Sequence, residues 1–289
     1  MAKLYLGDSQ GAPAIIKIEE VPKKKFGVSI DNLLGDVDNL SAVYDAPSEP
    51  FTFDATGISY LRIDSPGAYF LAGRKNLTGT IDLSNIKGFM DDSGNVIPGI
   101  SQSLFEYGFA STSITEAILP QNQEKYHVEM HYTFFRNKSL KKITLSATIY
   151  DAYNESGVRV KYIFSECPNI EEVHGIENIT AIGDYGWAGI FCGSTIQQEE
   201  FHFNSLISLG SSALSEAFQN CRGIKRFYFP QLVTMASDPF GWTSSVVAFS
   251  GATDVTEIHF RADMQSTVEA TSRYSSKWGA TNATIYFDL

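Results

Sequence analysis

Cysteine is scarce in this 289-residue chain. Its three copies, Cys167, Cys192 and Cys221, are an odd number with no metal-binding spacing. They form neither a disulfide framework nor a zinc site, and each is expected as a small buried apolar side chain. Basic residues are also few: 22 Lys and Arg against 33 Asp and Glu give a net charge of −11. Phosphate neutralisation needs the opposite balance, so nucleic acid is not an expected partner, and an anionic membrane surface is disfavoured for the same reason. The one basic run, Lys23-Lys24-Lys25 after Pro22, reads as a solvated turn. No apolar stretch approaches the roughly 18 residues of a membrane-spanning helix, so no membrane insertion is expected. The first residues lack a basic start, apolar run and cleavage site, which gives the expectation of synthesis and retention in the cytoplasm. Asn-x-Ser/Thr sites such as Asn76, Asn137, Asn154, Asn178 and Asn282 then carry no meaning.

Catalytic signatures are missing as well. No nucleophile elbow, zinc-protease pair, P-loop or dinucleotide fingerprint is present. Acidic pairs such as Glu171-Glu172 and Glu199-Glu200 occur, but neighbours on a strand point to opposite faces and do not straddle a cleft as glycosidase carboxylates must. The expectation is a non-enzyme with no cofactor and no metal. Asp36-x-Asp38-Asn39 lacks the Gly and Glu of a calcium loop and reads as a turn.

Apolar content is ample, with 43% hydrophobic and 13% aromatic residues, and it is organised. Six segments share a frame, opening at Phe109, Phe135, Phe164, Phe191, Phe218 and Phe249, at intervals of 26, 29, 27, 27 and 31 residues. A weaker copy opens near Phe70. In each, small polar residues follow the aromatic. An aliphatic comes five or six positions on, as at Ile114, Leu140, Ile170, Ile224 and Val255. A short run of period two closes the frame, as Ile143/Leu145, Phe227/Phe229 and Ile258/Phe260. Period two marks a short strand with alternate side chains inward. The Phe191 segment has its strand one residue further from the aromatic. One such unit is too small to bury a core alone, whereas stacked units share one, with their strands side by side in a parallel sheet. Ile179, Ile182, Leu206 and Leu209 supply a second inward set. The fold class expected is a repeat solenoid, with a small β-rich N-terminal segment.

Phe164-x-x-Cys167 and Phe218-x-x-Cys221, each followed after three positions by an aliphatic and then a strand, resemble the BspA-like leucine-rich-repeat family over roughly residues 65–260. The resemblance implies an irregular leucine-rich-repeat solenoid, built of parallel strands with loops and short helices. The family's Ile-Gly-x-x-Ala-Phe element survives only in part, at Ile182-Gly183 and Leu209-Gly210.

The organisation expected is an attachment segment over 1–60, a solenoid over 61–262 and a capping unit over 263–289. Strand-like runs lie at 3–6 and 14–18, a mixed segment at 22–38, and a linker from Pro47 to Pro50. A helix is expected over 263–279, capped by Asp263 and stopped by Gly279, with Met264, Val268, Thr271 and Tyr274 near one face and Trp278 in the core. A last strand follows from Thr284. The leader, with its Asp31-Asn32-Leu33-Leu34-Gly35-Asp36-Val37-Asp38 run, and the C-terminal Glu257 to Gln265 and Lys277 to Leu289 stretches resemble proteins encoded by phages and prophages of gut Firmicutes. That resemblance implies a tail-associated virion component, made in the host cytoplasm, with a homotrimer as the assembly that such proteins often form. Residues 1–60 would then hold other tail proteins, and the repeats would meet a host-surface protein or glycan. The alternative is a bacterial surface adhesin that binds host or neighbour-cell proteins.

The frame also aligns outward positions. One column runs Lys142, Glu172, Glu200, Arg226, Glu257; the next runs Thr144, His174, His202, Tyr228, His259. The binding candidates are therefore Glu172, His174, Glu200, His202, Arg226, Tyr228, Glu257 and His259. Rings offer flat apolar surface with hydrogen-bonding rims, and charged neighbours read polar groups; a linear row of histidines makes a poor metal cage. On this alignment His174 and His202 are adjacent and oppose joint protonation, so ligand binding should change between about pH 5 and 8.

Overall fold

The computed structural model describes residues 14–17, 49–55, 59–62, 70–90, 95, 102–103, 105–121, 127–146, 157–241, 243 and 245–289. The expected features at 3–6, 22–38 and the 36–39 turn lie outside these residues.

The strands in chain order are β1 (Ala14–Lys17), β2 (Phe51–Asp54), β3 (Tyr60–Arg62), β4 (Thr78–Asp82), β5 (Gly88–Met90) and β6 (Gln102–Ser103). There follow β7 (Ser113–Ile118), β8 (His127–His131), β9 (Lys142–Thr144), β10 (Gly157–Lys161), β11 (Glu172–His174) and β12 (Ala181–Ile182). The last are β13 (Glu200–His202), β14 (Ser208–Leu209), β15 (Arg226–Phe229), β16 (Thr234–Met235), β17 (Glu257–Phe260) and β18 (Thr284–Phe287). Among the described residues every strand pairing is parallel. Strands one coil apart lie side by side in β4-β7-β9-β11, β13-β15-β17-β18, β6-β8-β10 and β12-β14-β16. This is the expected solenoid. Parallel pairing also occurs N-terminal to residue 61, where β1 pairs with β2 and Phe51 bridges Leu77.

The period-two residues point inward as read: Ile143, Leu145, Phe227, Phe229, Ile258 and Phe260 are all at or below 1% exposure. The second inward set, Ile179, Ile182, Leu206 and Leu209, is buried too. The frame needs one correction. The core ring in the second unit is Phe134, which stacks between Phe109 (5.6 Å) and Phe164 (5.5 Å). The column continues through Phe191, Phe218 and Phe249 at 5.9, 5.9 and 5.6 Å. Phe135 turns the other way and joins Tyr107 and Tyr132 in a small separate cluster. In the weak copy the equivalent position is Leu71, whose N–H bonds to Gly108 as that of Phe109 bonds to Thr133. Two adjacent phenylalanines of equal hydrophobicity left the sequence frame one residue out.

Phe134 brings Asn137 into register with Thr112, Cys167, Ser194 and Cys221, each three residues past its ring. This position ties coil to coil. Asn137 Nδ2 donates to Phe109 O and Phe134 O, and its Oδ1 accepts from the N–H and hydroxyl of Thr112. The Cys167 thiol reaches Phe134 O at 3.3 Å, and Ser194 Oγ donates to Phe164 O while accepting the Cys167 N–H.

Beyond the strands the chain runs through successive tight turns with a left-handed residue at every fourth position, as at Tyr185, Gly189 and Gly193, then Ser212, Glu216 and Asn220. Between those coils alternate N–H groups bond to the next coil, and those between them close turns within their own. Gly189 is needed twice over here. Its φ is +63°, and a Cβ would sit 2.2 Å from the Tyr162 ring. That space lets Tyr162 stack on Tyr132, which stacks on Tyr107, and lets its hydroxyl reach Glu216 two coils away. Burial, with the Glu216 carboxylate, raises the Tyr162 phenol well above its ordinary range.

The C-terminal unit covers the last coil. β18 pairs with β17 as expected, and Trp278 is fully buried against Phe240 at 4.2 Å. The continuous helix over 263–279 does not form. A 3₁₀ turn (Ala262–Met264) leads into one short helix, α1 (Gln265–Glu269), and a second 3₁₀ segment (Tyr274–Gly279) follows a left-handed Arg273. Asp263 makes no cap and pairs instead with Arg261. Met264, Val268 and Thr271 are buried as expected, so the apolar spacing was read correctly while the run of Thr, Ser and Arg after Glu269 ends the helix early.

Candidate functional site

Parallel pairing in register places equivalent side chains above one another about every 4.8 Å. The outward face of β13, β15, β17 and β18 therefore carries two columns. Glu200, Arg226, Glu257 and Thr284 form one, and His202, Tyr228, His259 and Tyr286 the other. The rings are stacked: His202 to Tyr228 at 4.3 Å and 1°, Tyr228 to His259 at 4.6 Å, His259 to Tyr286 at 4.7 Å. On the neighbouring sheet β7, β9 and β11 set Glu116, Lys142 and Glu172 in one column and Ile118, Thr144 and His174 in the other.

Each histidine turns back to the glutamate two residues before it on the same face. The pairs are His174–Glu172 at 2.8 Å, His202–Glu200 at 2.9 Å and His259–Glu257 at 3.1 Å. Lys142 reaches Glu172 at 3.4 Å, and Arg226 Nε reaches Glu200 at 2.7 Å. These donors, the histidine first in each case, hold the Glu172 and Glu200 carboxyls below the usual carboxylate range. A third column lies one position earlier, with Lys141 paired to Glu171 and Lys225 to Glu199. Salt links of this exposure contribute little stability each. Their effect is to fix the direction of the charged groups along the face.

The candidates do not form one unbroken strip. Among the described residues no backbone hydrogen bond joins β11 to β13, so His174 and His202 are not ladder neighbours as the sequence frame had them. The cause is in the sequence. Ile170 bridges Ile196, but Val173 comes three positions after Ile170 whereas Phe201 comes five positions after Ile196. The surplus is Gln197-Gln198. The Gln198 carboxamide fills the missing rung: Oε1 accepts the Val173 N–H at 3.0 Å and Nε2 donates to Glu200 O at 3.1 Å. The argument for mutual repulsion between the two histidines falls with this. His259 differs in another way. It is only 8% exposed, held between Tyr228 and Tyr286 with Nδ1 on Asp288 at 2.9 Å, and is covered rather than presented.

Three participants escaped the sequence reading. Gln198 had no apolar periodicity to mark it. Tyr286 and Asp288 were legible from the match of Thr284-Ile285-Tyr286-Phe287 to Glu257-Ile258-His259-Phe260, two runs in direct register.

The three thiols are free. Cys167 and Cys221 are buried as expected, whereas Cys192 is only partly buried. Burial pushes Cys167 and Cys221 up to about 12 and Cys192 up to about 11, so none is a poised nucleophile. Among the described residues no three His, Cys, Asp or Glu side chains are placed to hold a metal, and no helix is long and apolar enough to cross a membrane.

Compared with known families, residues 102–267 match the model of the BspA type leucine rich repeat region in six copies. No curated protein matches the chain.

Proposed function

This chain belongs to the BspA type leucine rich repeat family, and we propose that it is a non-enzymatic adhesion protein that binds a protein partner on the outward face of β9, β11, β13, β15 and β17. Repeat solenoids of this kind typically serve as binding scaffolds. The observation that carries the reading is the register of outward charged and ring side chains from coil to coil. It offers directed hydrogen-bonding groups over several coils. Glu172, His174, Glu200, His202, Arg226 and Tyr228 are the contact residues. Glu257 and His259 support them from behind Tyr228.

The finer reading is a phage tail or receptor-binding virion component that recognises a host-surface ligand, with 1–60 as its attachment segment. Its support is the resemblance of the leader and the C-terminal stretches to phage and prophage proteins.

The binding reading is tested with protein and glycan arrays, comparing the wild-type chain with one carrying His174→Ala, His202→Ala, Arg226→Ala and Tyr228→Ala. A protein hit lost in the variant supports it. Equal binding by both chains sinks it, and a glycan hit alone replaces the partner class. Mass spectrometry of purified virions from the source locus tests the finer reading, which fails if the chain is absent from them.

A further inference from the structure

The ring column is open at one internal place. Stacked rings spend their faces on one another and show solvent only their rims. Between His202 and Tyr286 every face is taken, except the outer faces of the two end rings. β15 lies on one side of β13 and the coil of β11, bridged through Ile170 and Ile196, on the other, so the outer face of His202 is the one toward β11, where His174 ends its own ladder. Both side chains are well exposed, at 55% and 45%.

The junction sets their separation. At the level of the main chain the Gln198 carboxamide lies between Val173 N–H and Glu200 O as one planar amide. A strand's own peptide occupies one such step, so β11 and β13 stand about two strand spacings apart, roughly 9–10 Å. Two rings at that distance leave a slot between them one flat group thick. Glu172 flanks the slot on one side and Glu200 on the other, each oriented by its own histidine and by a cation behind it, Lys142 or Arg226.

The group that fits is flat, cationic and rimmed with donors. A guanidinium has all three properties: it stacks on rings and donates to carboxylates in its own plane. An ammonium is a compact point charge that cannot stack. We propose that the slot between His174 and His202 takes an arginine side chain of the partner protein, stacked between the two imidazoles and bonded to Glu172 and Glu200. This rests on the sheet face being the partner surface and names the residue type that it reads.

The test uses the isotope-labelled full chain and two probes, N-acetyl-arginine amide and N-acetyl-lysine amide, followed through the imidazole resonances. Arginine should shift His174 and His202 saturably, about fivefold more tightly than lysine, the margin that stacking on an exposed ring supplies. His259, walled in by Tyr228, Tyr286 and Asp288, should not move. His174→Ala, at an exposed position, should weaken the arginine response about fivefold with the remaining spectrum unchanged. An equal response to lysine, a parallel shift of His259, a response indifferent to His174→Ala, or no response overturns the slot. Array binding that persists without an arginine response refutes the slot alone. An arginine response in a chain whose array binding ignores the face variant refutes the partner surface alone.

Discussion

Asn137 donates through Nδ2 to the carbonyl of Phe109, one coil earlier, at 2.8 Å. The same side chain serves Phe134 O and both donors of Thr112, and it is wholly buried. Asn137→Ala leaves the Thr112 N–H without its acceptor, at about 1–3 kcal/mol, and removes the bonds to Phe109 O and Phe134 O, which keep the Thr112 hydroxyl and the Cys167 thiol. The expected loss is about 3 kcal/mol, read from the urea midpoint with tyrosine fluorescence. A loss below about 1 kcal/mol would show that this side chain is not what ties its coil to the preceding one. The burial also keeps the Asn137-x-Ser139 site from a glycosylating enzyme in the folded chain.

Gln198→Ala removes the amide that joins β11 to β13 and leaves the Val173 N–H without its acceptor. A loss of about 1–2 kcal/mol is expected. Amide exchange should quicken at Val173 and stay unchanged at Phe227, whose ladder partners lie on β13 and β17. Unaltered exchange at Val173 would mean that water serves the rung as well as the side chain does.

Much of this was legible from the chain itself. The period of about 27 residues, the inward aliphatics and the parallel stacking followed from spacing, because a repeat buries its core by the same pattern each time. What was not legible has a physical cause in each case. Phe134 and Phe135 are equally apolar, and only coil-to-coil hydrogen bonding selects the first. Gln197 and Gln198 add length without a hydrophobic signature, so a break in the sheet looked like continuity. The residues after Glu269 keep helical apolar spacing at Thr271 and Tyr274, yet Thr, Ser and a left-handed Arg273 turn the chain away.

Acid should weaken the strand face. The carboxyls of Glu172, facing His174 and Lys142, and of Glu200, facing His202 and Arg226, titrate lower in the folded chain than in the unfolded one. Their contribution is complete above the unfolded value, about 4.3, and is lost as pH falls through the lowered folded value. Stability of the wild type should therefore fall more steeply below about pH 4.5 than that of Glu200→Gln. Identical acid limbs in the two melts would contradict the assignment.

The thiols should be slow. With Cys167 and Cys221 pushed up to about 12 and Cys192 to about 11, almost no thiolate exists at about pH 8. A disulfide reagent should modify Cys192 first and leave the other two until the chain unfolds, as peptide mapping would show. Prompt reaction at Cys167 would contradict its burial.

The junction at Gln198 also bears on mechanics. The turn ladder crosses it unbroken, with Phe164, Glu166 and Tyr162 still bonded to the following coil, while the step from β11 to β13, between the Ile170–Ile196 bridge and the β12–β14 pair, is spanned by one side chain. Resistance to bending is thus uneven around the circumference. Flexing that opens the step from β11 to β13 meets one side-chain bridge there, where the neighbouring steps of the same wall meet a backbone ladder.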